Sequence, residues 1–226
     1  MEDEWYLSDD GRFAAVYDGH GGAHVSRHLR QNLYNEVLAG LPADEEVHDL
    51  ATVEAALKRA FERVDDYVVQ QQLYKYQGST AVAVVIHQDR DGTQSIISAN
   101  VGDSRAVLSR RGEAVALTDD HKPNSPLELE RIERHNGTVD WFGFFDPDDQ
   151  PMEGTGVWRI NGNLAVARAI GDVDERPCVS ASRPRTTHGA LCVKRNREPG
   201  GFGLVPPYEA PLRAELSRGI GFHCTA

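Results

Sequence analysis

Between residues 79 and 118 the chain runs "STAVAVVI", "SIISANV", "RAVLSR" and "EAVALT", four apolar stretches of strand length parted by turn signals such as "DRDG" and "GDS". Links this short join antiparallel neighbours, because a parallel crossover needs a dozen or more residues and usually a helix. Such pairs have an apolar face to cover, and the flanking sequence offers helices for it. "RFAAVY" reads as one more buried strand, after which Val25, Leu29, Leu33 and Val37 fall on one helical face until Gly40 and Pro42 end it. A second helical stripe carries Val53, Leu57, Ala60, Phe61, Val64, Tyr67 and Val68. "PLELERIERHNG" is a short helix opening at Pro126 and closing on Gly137, followed by extended pieces around "VWRI" and "NLAVARAI". Strands in the middle with helices outside predict an α+β sandwich.

Composition narrows the partners. The 226 residues, 40% of them apolar, are enough for one domain with a real core. A net charge of −11 argues against nucleic acid or an anionic membrane as partner. The three cysteines show no paired spacing, "MEDE" has no leader character, and no apolar run approaches the ~18 residues of a membrane span. The expectation is an intracellular, cytoplasmic or nuclear monomer.

The charge is unevenly distributed. Residues 1–181 hold 17 Lys+Arg against 32 Asp+Glu, whereas 182–226 hold 7 against 3 and no Asp. That second segment is dense in Gly, Pro and Arg and has no sustained period, so it is expected to be a loosely packed tail, genuine or frame-shifted, separate from a domain at 1–181. Its His188, Cys192, His223 and Cys224 match no zinc template.

Three turns gather candidate chemistry. In "VYDGHGG", Asp18 ends a buried strand beside Gly19, and an Asp with a neighbouring carbonyl suits a hard divalent cation. His20 follows, where an imidazole could pass a proton. Alone, the heptad reads more readily as a plain turn. "NVGDSR" repeats the device at Asp103, and "ARAIGDVD" repeats it at Asp172 with Arg168 nearby. His20, His24 and His28 recur every four residues, but the glutamate that the zincin pattern requires is missing. No phosphate-binding glycine loop or nucleophile elbow occurs in the sequence.

Taken in order, "MED", "FAAVYDGHGG", "GSTAV", "ANVGDSRAVL", "LTDDHKPNSPLELERIERHNGTV" and "WRINGNLAVARAIGD" resemble the blocks of the metal-dependent protein phosphatases, the PP2C or PPM family, over about residues 1–180. The resemblance implies a four-layer α-β-β-α sandwich, incomplete here, that hydrolyses phosphoserine and phosphothreonine proteins with a water activated by two Mg²⁺ or Mn²⁺ ions. It implies that Asp18 bridges the ions, that Glu2 and the Gly19 carbonyl serve one of them, that Asp103 is a weaker third metal position, and that His20 protonates the leaving oxygen. Asp3 would support the site, and Arg105 and Arg168 would organise turns. The family's phosphate-gripping Arg before "MED", and its later Asp-Gly and Asp-Asn motifs, have no counterpart here. Unpaired sheet edges would follow from the missing strands. An impaired or truncated fold acting at most as a binding module is the alternative that these departures leave open.

Overall fold

The computed structural model describes residues 2–44, 47–72, 74–92, 94–110 and 112–181, together with the backbone of 192–198 and 218–223. Strands β1 (Glu4–Leu7) and β2 (Phe13–Tyr17) form a hairpin, and a two-residue β3 (Gly19–His20) leads into α1 (His24–Ala39) and α2 (Leu50–Gln71). Then come β4 (Gly78–Ser79), β5 (Ala81–Gln88), β6 (Gln94–Val101), β7 (Arg105–Arg110) and β8 (Glu113–Ala116). Helix α3 (Pro126–Arg134), β9 (Val139–Phe142), β10 (Val157–Ile160), β11 (Ile170–Gly171), β12 (Cys192–Glu198) and β13 (Arg218–His223) follow.

One sheet has the order β1-β2-β5-β6-β12 and a second has β13-β7-β8. The four central stretches thus pair as two antiparallel hairpins, β5 with β6 and β7 with β8, and the chain changes sheets at the Gly102–Ser104 turn. Alternation along the strands decides which layer each side chain enters. Ala15, Tyr17, Ala81, Ala83, Ile97 and Ala99 face α1 and α2, while Val16, Val82, Val84 and Ile96 face Ala106, Leu108 and Leu117 of the second sheet and the segment after it. Four alanines on the helix side let Leu29, Leu33, Leu57 and Phe61 pack closely, and all four of these larger side chains are at least 98% buried. Truncating one of the leucines to Ala would cost about 2–5 kcal/mol. Helix, sheet and sheet make three layers; α3 packs in a separate cluster with Ile160, Ala167, Ala169 and Val179.

Two expectations change. Tyr67 leaves the predicted apolar stripe of α2: it is 51% exposed and stacks on His28, while Asp65 takes a fully buried place on the helix. "NLAVARAI" gives only the two-residue β11. The expectation of a loose tail at 182–226 falls mostly outside the described residues. Of the pieces described, β12 pairs with β6 from Cys192↔Asn100 to Glu198↔Gln94, and β13 pairs with β7, so neither β6 nor β7 is the bare edge expected from the missing strands.

The feature that builds the site is small. β11, β4 and β3 form a third sheet, with Gly19↔Ser79 and His20↔Gly78 on one side and Ile170↔Ser79 and Gly171↔Gly78 on the other. His20 and Gly171 therefore flank the same glycine.

Candidate active site

Asp18 emerges from β2, whose five residues are all buried, and is itself partly buried. Its backbone is tied down by the "GST" segment: the Thr80 amide donates to the Asp18 carbonyl at 2.9 Å, Ser79 Oγ donates to the same oxygen at 3.2 Å, and the Asp18 amide donates to Thr80 Oγ1 at 3.3 Å. The carboxyl group is pushed up to about 6, first by burial and then by the charges of Asp3 and Asp103, with His20 opposing the rise.

Glu2 is bound to the same turn. Its carbonyl accepts from Ser26 Oγ at 2.5 Å, and its carboxylate accepts from the Gly22 amide at 3.2 Å. A Cβ on Gly19 would stand 2.5 Å from that Glu2 carbonyl, so glycine is what lets the two backbones meet. Asp103, 4% exposed, is ion-paired with Lys122. Lys122 was missed by sequence reasoning; its only signal was its position in "DDHKP".

His20 Nε2–H donates to both carboxylate oxygens of Asp172 at 2.8 Å. Burial disfavours the charged ring, but the hydrogen bond and charge of Asp172, with Asp18 and Glu2 behind them, hold its pKa above the ordinary value. Asp172 is 3% exposed and was read from the sequence only as a third Gly-Asp turn. His24 and His28 lie apart from this group. The first stacks on Tyr74 at 4.7 Å and bonds Gln77, and the second stacks on Tyr67 at 4.8 Å, so the four-residue recurrence makes no shared site.

Arg105 grips Asp120 with two 2.7 Å bonds, and buried Arg168 donates to Glu128 at 2.9 and 2.6 Å. Arg131 also bonds Glu128 and reaches the carbonyls of Ala167 and Cys178, fastening the segment before β11 to α3. His121 joins this network to the Asp103 turn by accepting from the Gly102 amide at 3.1 Å. The side chains of His188, Cys192, His223 and Cys224 lie outside the described residues.

As a donor set, Glu2, Asp18, Asp103 and the Gly19 carbonyl are all hard oxygen ligands, the chemistry that Mg²⁺ or Mn²⁺ takes. Positive charge beside Asp18 would offset both its burial and the repulsion from Asp3 and Asp103. Among the described residues, however, no three His, Cys, Asp or Glu side chains are grouped closely enough to enclose an ion. The fit is thus to an open site completed by water or further ligands.

Two sheets packed face to face, with helices over one of them, thus present acids and a histidine at a strand-end turn. The sequence model of the family "Protein phosphatase 2C" matches residues 3–197, and the chain belongs to that family. It is 36% identical over 173 residues to "Probable protein phosphatase 2C 11" of Arabidopsis thaliana, covering 75% of this chain and 40% of the relative. It is 40% identical over 197 residues to "Probable protein phosphatase 2C 8" of Oryza sativa subsp. japonica, covering 80% and 44%. Among solved structures, a C. elegans sex determining protein superposes with a TM-score of 0.67 at 25% identity, covering 87% of this chain and 45% of that one. A Toxoplasma gondii phosphatase shares the fold with a TM-score of 0.63 at 23% identity, covering 86% and 67%. The chain spans less than half the length of these two curated relatives.

Proposed function

We propose that this chain carries the acid and histidine side of a Mg²⁺- or Mn²⁺-dependent protein serine/threonine phosphatase site, acting on phosphoserine and phosphothreonine proteins. Family membership supports the reaction class. The observation that carries the residue assignment is a partly buried Asp18 under the charges of Asp3 and Asp103, two residues before a histidine that is itself clamped by an acid. Asp18, Glu2 and the Gly19 carbonyl would hold a pair of divalent ions, with Asp103 as a weaker third position. When bound, such ions supply an acidified water and offset charge on the phosphoryl oxygens.

The chain's own residues do the rest. Asp172 takes Nε2–H, so Nδ1 is the ring nitrogen left to give a proton to a leaving Ser or Thr oxygen, and the raised pKa keeps the ring protonated nearer neutrality. Thr80 and Ser79 keep Asp18 at its turn. Lys122 balances the charge of Asp103 through their ion pair. The net charge of −11 supports a protein substrate over nucleic acid, and we read the chain as an intracellular monomer.

The test is hydrolysis of a phosphothreonine peptide by the purified chain. Turnover that requires added Mn²⁺ or Mg²⁺ and disappears in Asp18→Asn is expected. Folded protein that turns over nothing at saturating metal overturns the assignment and leaves a binding module.

A further inference from the structure

Asp65 lies on α2 among Phe61, Val64 and Val68, a place that an apolar residue would fill at no desolvation cost. It is 1% exposed, and its described partners all belong to one distant turn. Its Oδ1 accepts from the Gly171 amide at 3.0 Å and from Arg176 Nη2 at 2.5 Å. Arg176 in turn donates from Nε and Nη2 to the Gly171 carbonyl at 3.1 and 2.9 Å, and from Nη1 to Ser180 Oγ at 3.0 Å. Both polar groups of the Gly171 backbone are therefore held by one ion pair, between buried Asp65 and partly buried Arg176.

The held residue begins an uncommon piece of chain. Gly171 has φ 86° and Asp172 has φ 47° with ψ 50°, two left-handed conformations in succession. Asp is one of the few side-chain-bearing residues that enters this region, and it persists there only when its surroundings fix it. The Asp172 amide is fixed to the Gln77 carbonyl at 3.0 Å, and the preceding peptide is fixed by Asp65 and Arg176. This backbone path turns the Asp172 carboxylate onto His20.

We infer that Asp65 and Arg176 are positioning residues for His20, acting through the Gly171 backbone and the Asp172 carboxylate. The catalytic consequence rests on the phosphatase reading above; the geometric one does not. A clamp that served the fold alone would stabilise the protein without governing the His20 ring.

The full 226-residue chain, labelled with ¹⁵N-histidine, separates the two. In the wild type the His20 Nε2–H is expected as a slowly exchanging proton signal. Asp65→Ala, which changes neither His20 nor Asp172, is expected to lose it to exchange with water, whereas Arg134→Ala on the exposed face of α3 keeps it. Where metal-dependent turnover exists, Asp65→Ala should lower kcat on a phosphothreonine peptide about 10-fold or more while changing p-nitrophenyl phosphate hydrolysis less than about 2-fold, since only the alkoxide leaving group needs the proton. A wild type without turnover defeats the phosphatase reading and leaves the proton signal to decide the clamp. A folded Asp65→Ala that retains the signal overturns the inference. Should the variant fail to fold, hydrogen exchange of the wild type decides: a Gly171 amide as protected as those of β5 supports the clamp, and exchange at the rate of an open loop overturns it.

Discussion

Asp172 and His20 lie 152 residues apart in sequence, yet both carboxylate oxygens stand 2.8 Å from the imidazole Nε2. The contact depends on Gly78, which pairs with His20 on one side and Gly171 on the other. A three-strand sheet of two-residue strands thus does for this site what a long ladder does for the core.

Gly78 is the residue between them, and a Cβ there would overlap both His20 Nε2 and the Asp172 carboxylate. Gly78→Ala is expected to part the pair, destabilise the protein by about 1–3 kcal/mol and reduce phosphothreonine hydrolysis about 100-fold or more. Urea titration and steady-state kinetics measure the two effects. Unaltered kinetics would show that the His20–Asp172 contact is dispensable.

Asp18 makes the metal-free protein sensitive to pH. Its folded pKa of about 6 lies above the ordinary 3.8, so the folded state binds the proton more tightly and stability falls as pH rises through that interval. With solvent screening of its partly buried setting allowed for, the loss is roughly 1–2 kcal/mol at neutral pH. Asp18→Asn in EDTA should therefore melt higher than wild type at pH 7 and equally at pH 4. Added Mn²⁺ should raise the melting temperature of wild type but not of the variant.

His121 acts in the opposite sense. Burial first, then the charge of Arg168, pushes its pKa from 6.5 down to about 4, so the unfolded chain binds the proton first and stability is lost as pH falls across that window. The loss is about 3 kcal/mol when complete. His121→Asn keeps an acceptor for the Gly102 amide and has nothing to titrate. Its denaturation midpoint should stay flatter than that of wild type between pH 6.5 and 4, and parallel curves would refute the assignment.

Glu128 balances two buried arginines, Arg131 and Arg168. Glu128→Ala leaves both without that charge and is expected to cost about 3–5 kcal/mol, with Glu128→Gln intermediate. Chemical denaturation checks the order. Equal stability of the two variants would mean that the carboxylate's charge contributes little.

What could be read from the sequence had a period or a fixed local chemistry. The short continuous apolar runs of β2, β5 and β6 mark strands covered on both faces, and the apolar stripes of α1 and α2 mark the faces turned to the core. The Asp-Gly turn after "FAAVY" marked Asp18 and His20 because short-range backbone demands and polar residues coincide there. Tyr67 and Asp65 exchanged their expected places, since a phenol can stack on a neighbouring His28 while a carboxylate can be buried if a distant Arg176 meets it.

The partnerships were decided only by the tertiary structure. Two-residue strands carry no period, so the meeting of His20, Gly78 and Gly171 has no local signature, and neither does the pairing of Lys122 with Asp103. The sequence by itself determined the layers, the core and the turn that bears the acids. Long-range packing chose which acid holds the histidine, because hydrogen bonds and charges act through space on whatever groups the completed fold brings within reach.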